Sequence, residues 1–223
     1  MFDIQKRDGY KIIHLTDGDL LPQAVTFIEK GKADGINLNY INNWRTDLEP
    51  LRGLQSIKCL IVNDYPPSKG YDYSAIHTLR QLNHLSINTT DKKEIDFSVF
   101  PHLTSVTLAW RPKAKTLFSC IQLRDLFLGR YTGNDLSEVG RLKNLKYLRI
   151  NTGSVISLDG ISQITGLEEL WLAQATKLED INDMLKLRSI KRLRIDNCKR
   201  IKNIDSVKMM GVPQLELAGT TPK

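Results

Sequence analysis

Four histidines (His14, His77, His84 and His102), three cysteines (Cys59, Cys120 and Cys198) and the adjacent carboxylates Glu168 and Glu169 are the side chains whose types could ligate a metal, attack a substrate or move a proton. Their spacing argues against each use. No two histidines stand in an H-x-x-x-H or H-E-x-x-H frame, so a shared metal on one helix face is not encoded. The cysteines are odd in number, far apart and without a C-x-x-C pair, which reads as free buried thiols rather than a disulfide framework or zinc knuckle. On a strand, Glu168 and Glu169 point to opposite sides and cannot share one substrate. Phosphate-cradling G-x-x-x-x-G-K-[ST], dinucleotide G-x-G-x-x-G and nucleophile G-x-S-x-G frames are missing. The expectation is a protein that is not an enzyme, with no catalytic residue, metal or cofactor. The remaining chemistry is recognition. In "LEELWLAQA", Trp171 stands between Leu170 and Leu172, and if the leucines of such an alternating stretch face a core, the tryptophan faces solvent.

Composition narrows the setting. The 223 residues are 41% hydrophobic and 26% charged, as in an ordinary globular protein. No apolar run approaches the ~18 residues of a membrane span, and the N-terminal "MFDIQKRDGYKII" lacks the sections of a signal peptide. A cytoplasmic protein is expected, so the sequon at Asn88 carries no weight. The net charge is +7, and residues 186–208 hold nine Lys or Arg against Asp196 and Asp205, an excess of seven. The rest of the chain is neutral.

The elements that must position Trp171 emerge from an internal period. Two aliphatics around a variable residue recur at Ile36/Leu38, Leu60/Val62, Leu85/Ile87, Val106/Leu108, Leu126/Leu128, Leu148/Ile150, Leu170/Leu172, Leu193/Ile195 and Leu215/Leu217, at intervals of 20 to 25 residues. Three residues before each pair stands another apolar residue, from Ala33 to Val212. This L-x-x-L-x-L frame over residues 33–217 resembles the leucine-rich repeat family, short-repeat type. The resemblance implies a solenoid, an α/β horseshoe with a parallel β-sheet on its concave face and extended or 3₁₀ return segments. Each unit is too small to bury its apolar face alone, so neighbours stack. Leu178, Ile181, Ile201 and Ile204 are expected on the return side. Of the family's buried Asn or Cys positions, only Cys198 conforms; Ile41, Tyr65, Thr90, Arg111, Tyr131, Gly153, Ala175 and Thr220 depart, so the early coils are expected to be irregular.

The first 32 residues read as a cap: a hairpin around Asp8-Gly9, then a helix over residues 20–30 with Pro22 in its first turn and Gly31 ending it. Nine repeats follow over residues 33–217, then a tail over 218–223, in a single domain. The loop over residues 63–75, with Tyr65, Tyr71 and Tyr73, is a packed surface loop or a second contact site.

Parallel strands turn repeat positions into ladders about 4.8 Å apart. Between the aliphatics fall Phe127, Arg149, Trp171 and Arg194; before them Tyr147, Glu169 and Arg192; two residues after them Trp110, Arg130 and Gln174. Trp110, Phe127, Arg130, Tyr147, Arg149, Trp171, Arg192 and Arg194 are therefore the candidate partner-binding residues, being of the types that dominate interface hot spots. Arg149 and Arg194 also flank Trp171 as cation–π neighbours, so the ladder can steady itself. The resemblance implies a monomeric protein-interaction module whose partner offers an acidic or aromatic patch, such as an inhibitor, immunity or regulatory protein. The alternative is RNA or another nucleic acid on the basic stretch, with the aromatics as stacking platforms.

Overall fold

The computed structural model describes residues 2–38, 48–63, 72–89 and 92–220. The chain forms two compact units, Met1–Thr107 with Arg111–Leu117, and Leu108–Trp110 with Phe118–Lys223. Within each, strands follow one another in the sheet as they do in the chain.

In the first unit, β1 (Asp3–Arg7) and β2 (Tyr10–His14) form an antiparallel hairpin with Arg7 opposite Tyr10. Asp8 and Gly9 both have positive φ, 50° and 83°, the twist a two-residue connection needs. Asp17 caps a 3₁₀ turn at Gly18–Leu20 by accepting from the Asp19 N–H, and α1 (Leu21–Glu29) follows with Pro22 in its first turn. Strands β3 (Gly35–Leu38), β4 (Cys59–Asn63) and β5 (His84–Asn88) then add in parallel, starting from Ile12 opposite Gly35. β6 (Ser105–Ala109) is divided between the units.

The second unit stacks β7 (Asp125–Gly129), β8 (Tyr147–Asn151), β9 (Glu169–Ala173), β10 (Arg192–Asp196) and β11 (Gln214–Ala218), all parallel. The aliphatic pair of each of the nine frames lies on a strand, and the apolar residue that opens the frame lies just before it. Return segments are the 3₁₀ turns Val139–Arg141, Ile161–Gln163 and Asn182–Lys186 and the single-turn α2 (Asp205–Lys208), too short to be full helices, as a period this small requires. Inward leucines and isoleucines of β7 to β10 are 0–1% exposed, and Leu178, Ile181, Ile201 and Ile204 close the core from the return side. On β11 the equivalent Leu215 and Leu217 are half-buried, because no further strand covers them among the described residues.

Two polar devices fix the turns. Where the family keeps Asn or Cys, Arg111 is fully buried in the first unit, its Nη2 donating to Thr89 Oγ1 at 2.9 Å and its guanidinium 5.4 Å from the Tyr73 ring. Tyr131, Ala175, Cys198 and Thr220 are likewise buried; Ile41, Tyr65 and Thr90, and most of the 63–75 loop with Tyr71, lie outside the described residues. Tyr73 is core, 2% exposed, with its hydroxyl 2.6 Å from Thr89 Oγ1. In the second unit Asp183 accepts from the backbone N–H groups of Gly160 (2.9 Å) and Ser162 (3.1 Å) and from Lys186 Nζ (2.8 Å), tying one repeat to the previous one. Gly160 adopts φ +96° there, with Ser137 Cα 2.5 Å from where a Cβ would stand. All three cysteines are buried, and burial pushes the Cys59 thiol up to about 12. No helix among the described residues is long and apolar enough to cross a membrane.

Candidate interaction surface

Strand alternation in the second unit turns one set of side chains into the core and the other outward. Register makes the outward set three rows. The middle row runs Phe127, Arg149, Trp171, Arg194, Glu216; the row before it Asp125, Tyr147, Glu169, Arg192, Gln214; the row after it Gly129, Asn151, Ala173, Asp196, Ala218. Phe127, Tyr147, Arg149, Trp171, Arg192 and Arg194 thus share one face. A depression of about 230 Å³ lies between the first two rows, lined by Tyr147, Arg149, Glu169, Trp171, Arg192, Arg194 and Glu216 over the backbone of Leu148 and Leu170.

Trp171 is less free than strand alternation alone implies. Its indole N–H donates to Asp196 Oδ2 at 2.9 Å, and the Arg194 guanidinium lies 4.6 Å from its ring. Arg194 Nε donates to the same Asp196 oxygen at 2.6 Å and pairs with Glu216 at 3.6 Å. The ring is half-buried because Asp196, in the small-residue row of the next strand, draws its edge down. On the other side Arg149 sits 6.0 Å from the ring centroid. The small neighbours Ala173 and Ala218 leave the space in which this trio fits.

Arg192 donates to Gln214 Oε1 at 2.7 Å and pairs with Glu169 at 3.7 Å. Glu168 bridges Lys146 (3.1 Å) and Lys191 (2.6 Å), and hydrogen bonds from these two ammonium groups hold its carboxyl below the usual range. Arg149 has no carboxylate partner among the described residues. Tyr147 is 38% exposed.

No protein-family model matches the sequence, and no curated protein matches it at a significant level. Solved structures do. An internalin from Listeria monocytogenes matches over 89% of this chain and 71% of its own, with a TM-score of 0.60 and 15% identity. An internalin C2 from the same organism covers 88% of this chain and 92% of its own, with a TM-score of 0.67 and 16% identity. The fold is a leucine-rich repeat solenoid.

Two of the candidate residues stand apart from the solenoid's outward rows. Trp110 follows the last residue of β6, where its ring packs edge-on to Tyr131 (5.0 Å) and against Phe118 (5.3 Å) while its N–H donates to Thr132 Oγ1 at 2.9 Å. Phe118 and Tyr131 are 2–3% exposed, so Trp110 covers an aromatic corner of the core. Arg130 lies just past β7 in the left-handed region, φ 58°, its N–H donating to the Asn151 carbonyl at 2.7 Å. Thr152, Gln174 and Asn197 repeat that conformation at φ 53–55°, and each donates to the carbonyl ending the next strand. The third sequence column is therefore a row of turns at the strand ends.

The basic stretch 186–208 also changes character in three dimensions. Lys186 pairs with Asp183, Lys191 with Glu168, Arg192 with Glu169, Arg194 with Asp196 and Glu216, Arg200 and Lys202 with Glu179, and Lys208 with Asp205. Of the nine cations only Arg188 and Lys199 have no carboxylate partner among the described residues. Sequence reasoning had not assigned roles to Asp183, Glu179 and Asp196; the sole signal for Asp196 was its place two residues after Arg194, on the same strand face. The described residues contain no cluster of three or more His, Cys, Asp or Glu placed to hold a metal.

Proposed function

We propose that this leucine-rich repeat protein is a non-catalytic module that binds a protein partner through the outward strand faces of β7 to β10. The observation that carries the reading is the gathering of Phe127, Tyr147 and Trp171 with Arg149, Arg192 and Arg194 on one side of adjacent strands. Stability alone does not call for aromatic rings there, and these residue types combine large buried area with directional contacts. Strands β7 to β10 span three gaps, about 14 Å, and with the side chains at their margins present one side of a modest interface. Trp110 and Arg130 border the face. Tyr147 is the most open anchor, and Trp171, steadied by Asp196 and Arg194, is a preorganised one.

The partner in this reading presents an acidic or aromatic patch, and the module acts as a cytoplasmic monomer, as an inhibitor, immunity or regulatory protein does. A nucleic-acid role has less behind it: seven of the nine cations in the basic stretch already have carboxylates beside them, which leaves no continuous track for phosphates. The test is affinity capture from the native cell with wild type, Tyr147→Ala and Trp171→Phe in parallel, and Lys177→Ala on the return side as control. Loss of the same captured protein in the first two variants, with retention in the control, supports the reading; equal capture by all four overturns it.

A further inference from the structure

The charges of the outward rows are not equivalent. Arg192 and Arg194 face carboxylates from their own chain, Glu169 for the first and Asp196 and Glu216 for the second. Arg149 alone among the arginines of the middle rows has none among the described residues. It stands in register between Phe127 and Trp171, two residues after Tyr147 on the same strand. Its side chain is exposed and its guanidinium lies 6.0 Å from the Trp171 ring centroid, so the planar fork is open to a charge-assisted bidentate bond with an incoming carboxylate.

Resting on the protein-binding reading above, we propose that Arg149 is a receptor for one acidic side chain of the partner, an Asp or Glu inserted into the depression beside it. The depression, about 230 Å³, is below the ~300–1,000 Å³ of small-molecule sites and is of the size of one side chain. Its surroundings favour a side-chain carboxylate over a chain end. Capture of a terminal carboxylate uses converging backbone N–H groups, whereas the β8 and β9 backbones are paired in the sheet. The aliphatic stem of the incoming residue lies against Tyr147 and Trp171, and its carboxylate meets Arg149. Arg192 and Arg194 are positioning residues: they hold Glu169, Asp196 and the Trp171 ring, and keep the remaining carboxylates from competing for Arg149. A partner surface carrying many acids gains nothing further here.

The test titrates the full chain with N-acetylglutamate methylamide and, separately, with the glutamine analogue, following the Trp171 indole N–H by NMR and assigning it by its loss in Trp171→Phe. The glutamate probe is expected to saturate the resonance and to bind about tenfold or more tighter than the glutamine probe. Arg149→Gln removes that preference, while Lys177→Ala on the return side retains it. Absence of any saturable preference, its survival in Arg149→Gln, or tighter binding by N-acetylalanine, whose carboxylate is a chain end, overturns the proposal. If cellular capture depends on Tyr147 and Trp171 while Arg149→Gln changes neither capture nor probe preference, this inference fails and the protein-binding reading stands. Matching thermal unfolding of wild type and Arg149→Gln excludes a folding defect.

Discussion

Asp183→Asn isolates one electrostatic tie between repeats. Burial alone raises the Asp183 carboxyl, but hydrogen bonds from Lys186 Nζ and from the Ser162 and Gly160 backbones outweigh it and bring it from 3.8 down to about 2. Its side chain is 10% exposed but that of Lys186 is 70% exposed, so solvent screens part of the effect. At about 1.4 kcal/mol for each pH unit, the charged form contributes about 2 kcal/mol to folding at neutral pH. Because the folded value lies below the unfolded one, this stability is complete above about pH 5 and is lost as pH falls through 2; about half is gone by pH 3. Asparagine can still accept from one backbone N–H but cannot hold Lys186 as an ion pair. Urea unfolding at pH 7 should place Asp183→Asn about 2 kcal/mol below wild type, and the gap should narrow by about half at pH 3. Parallel stability curves across that range would refute the reasoning.

Gly160→Ala forces a Cβ to within 2.5 Å of Ser137 Cα at φ +96°; thermal melting should show a loss of about 2 kcal/mol or more. Burial lowers the pKa of His77, whose Nε2 accepts the Asp96 N–H at 3.1 Å; NMR titration should find it protonating below 6.5, and stability should decline as pH drops through that value because the unfolded chain binds the proton more tightly. Trp171→Ala leaves the buried Asp196 with one donor fewer, so chemical denaturation should report a cost of about 1–2 kcal/mol, whereas Tyr147→Ala should be within about 0.5 kcal/mol of wild type. With most of the basic stretch internally paired, a gel-shift titration with single-stranded RNA should show weak binding and only a shallow decline with added salt.

What the sequence determined by itself was periodic. A frame repeated at 20 to 25 residues places each strand, its inward leucines and the return-side Leu178, Ile181, Ile201 and Ile204, because a unit that cannot bury its own apolar face leaves stacking as the one way to hide it. Turn chemistry was equally legible at Asp8-Gly9, where positive φ suits those residue types. Register followed too, so Arg149, Trp171 and Arg194 could be set side by side in advance. The tertiary structure alone decided what those side chains do once adjacent. Seen along the chain, residues 186–208 are a basic block; folded, Glu168, Glu169, Glu179, Asp183 and Glu216 from neighbouring segments stand against it. Trp110 shares a residue type with Trp171 but caps a core corner, since it lies past the strand end and not within it. The period is a property of the backbone, which repeats, whereas side-chain direction depends on the particular neighbours each repeat brings within a few ångströms, and those do not.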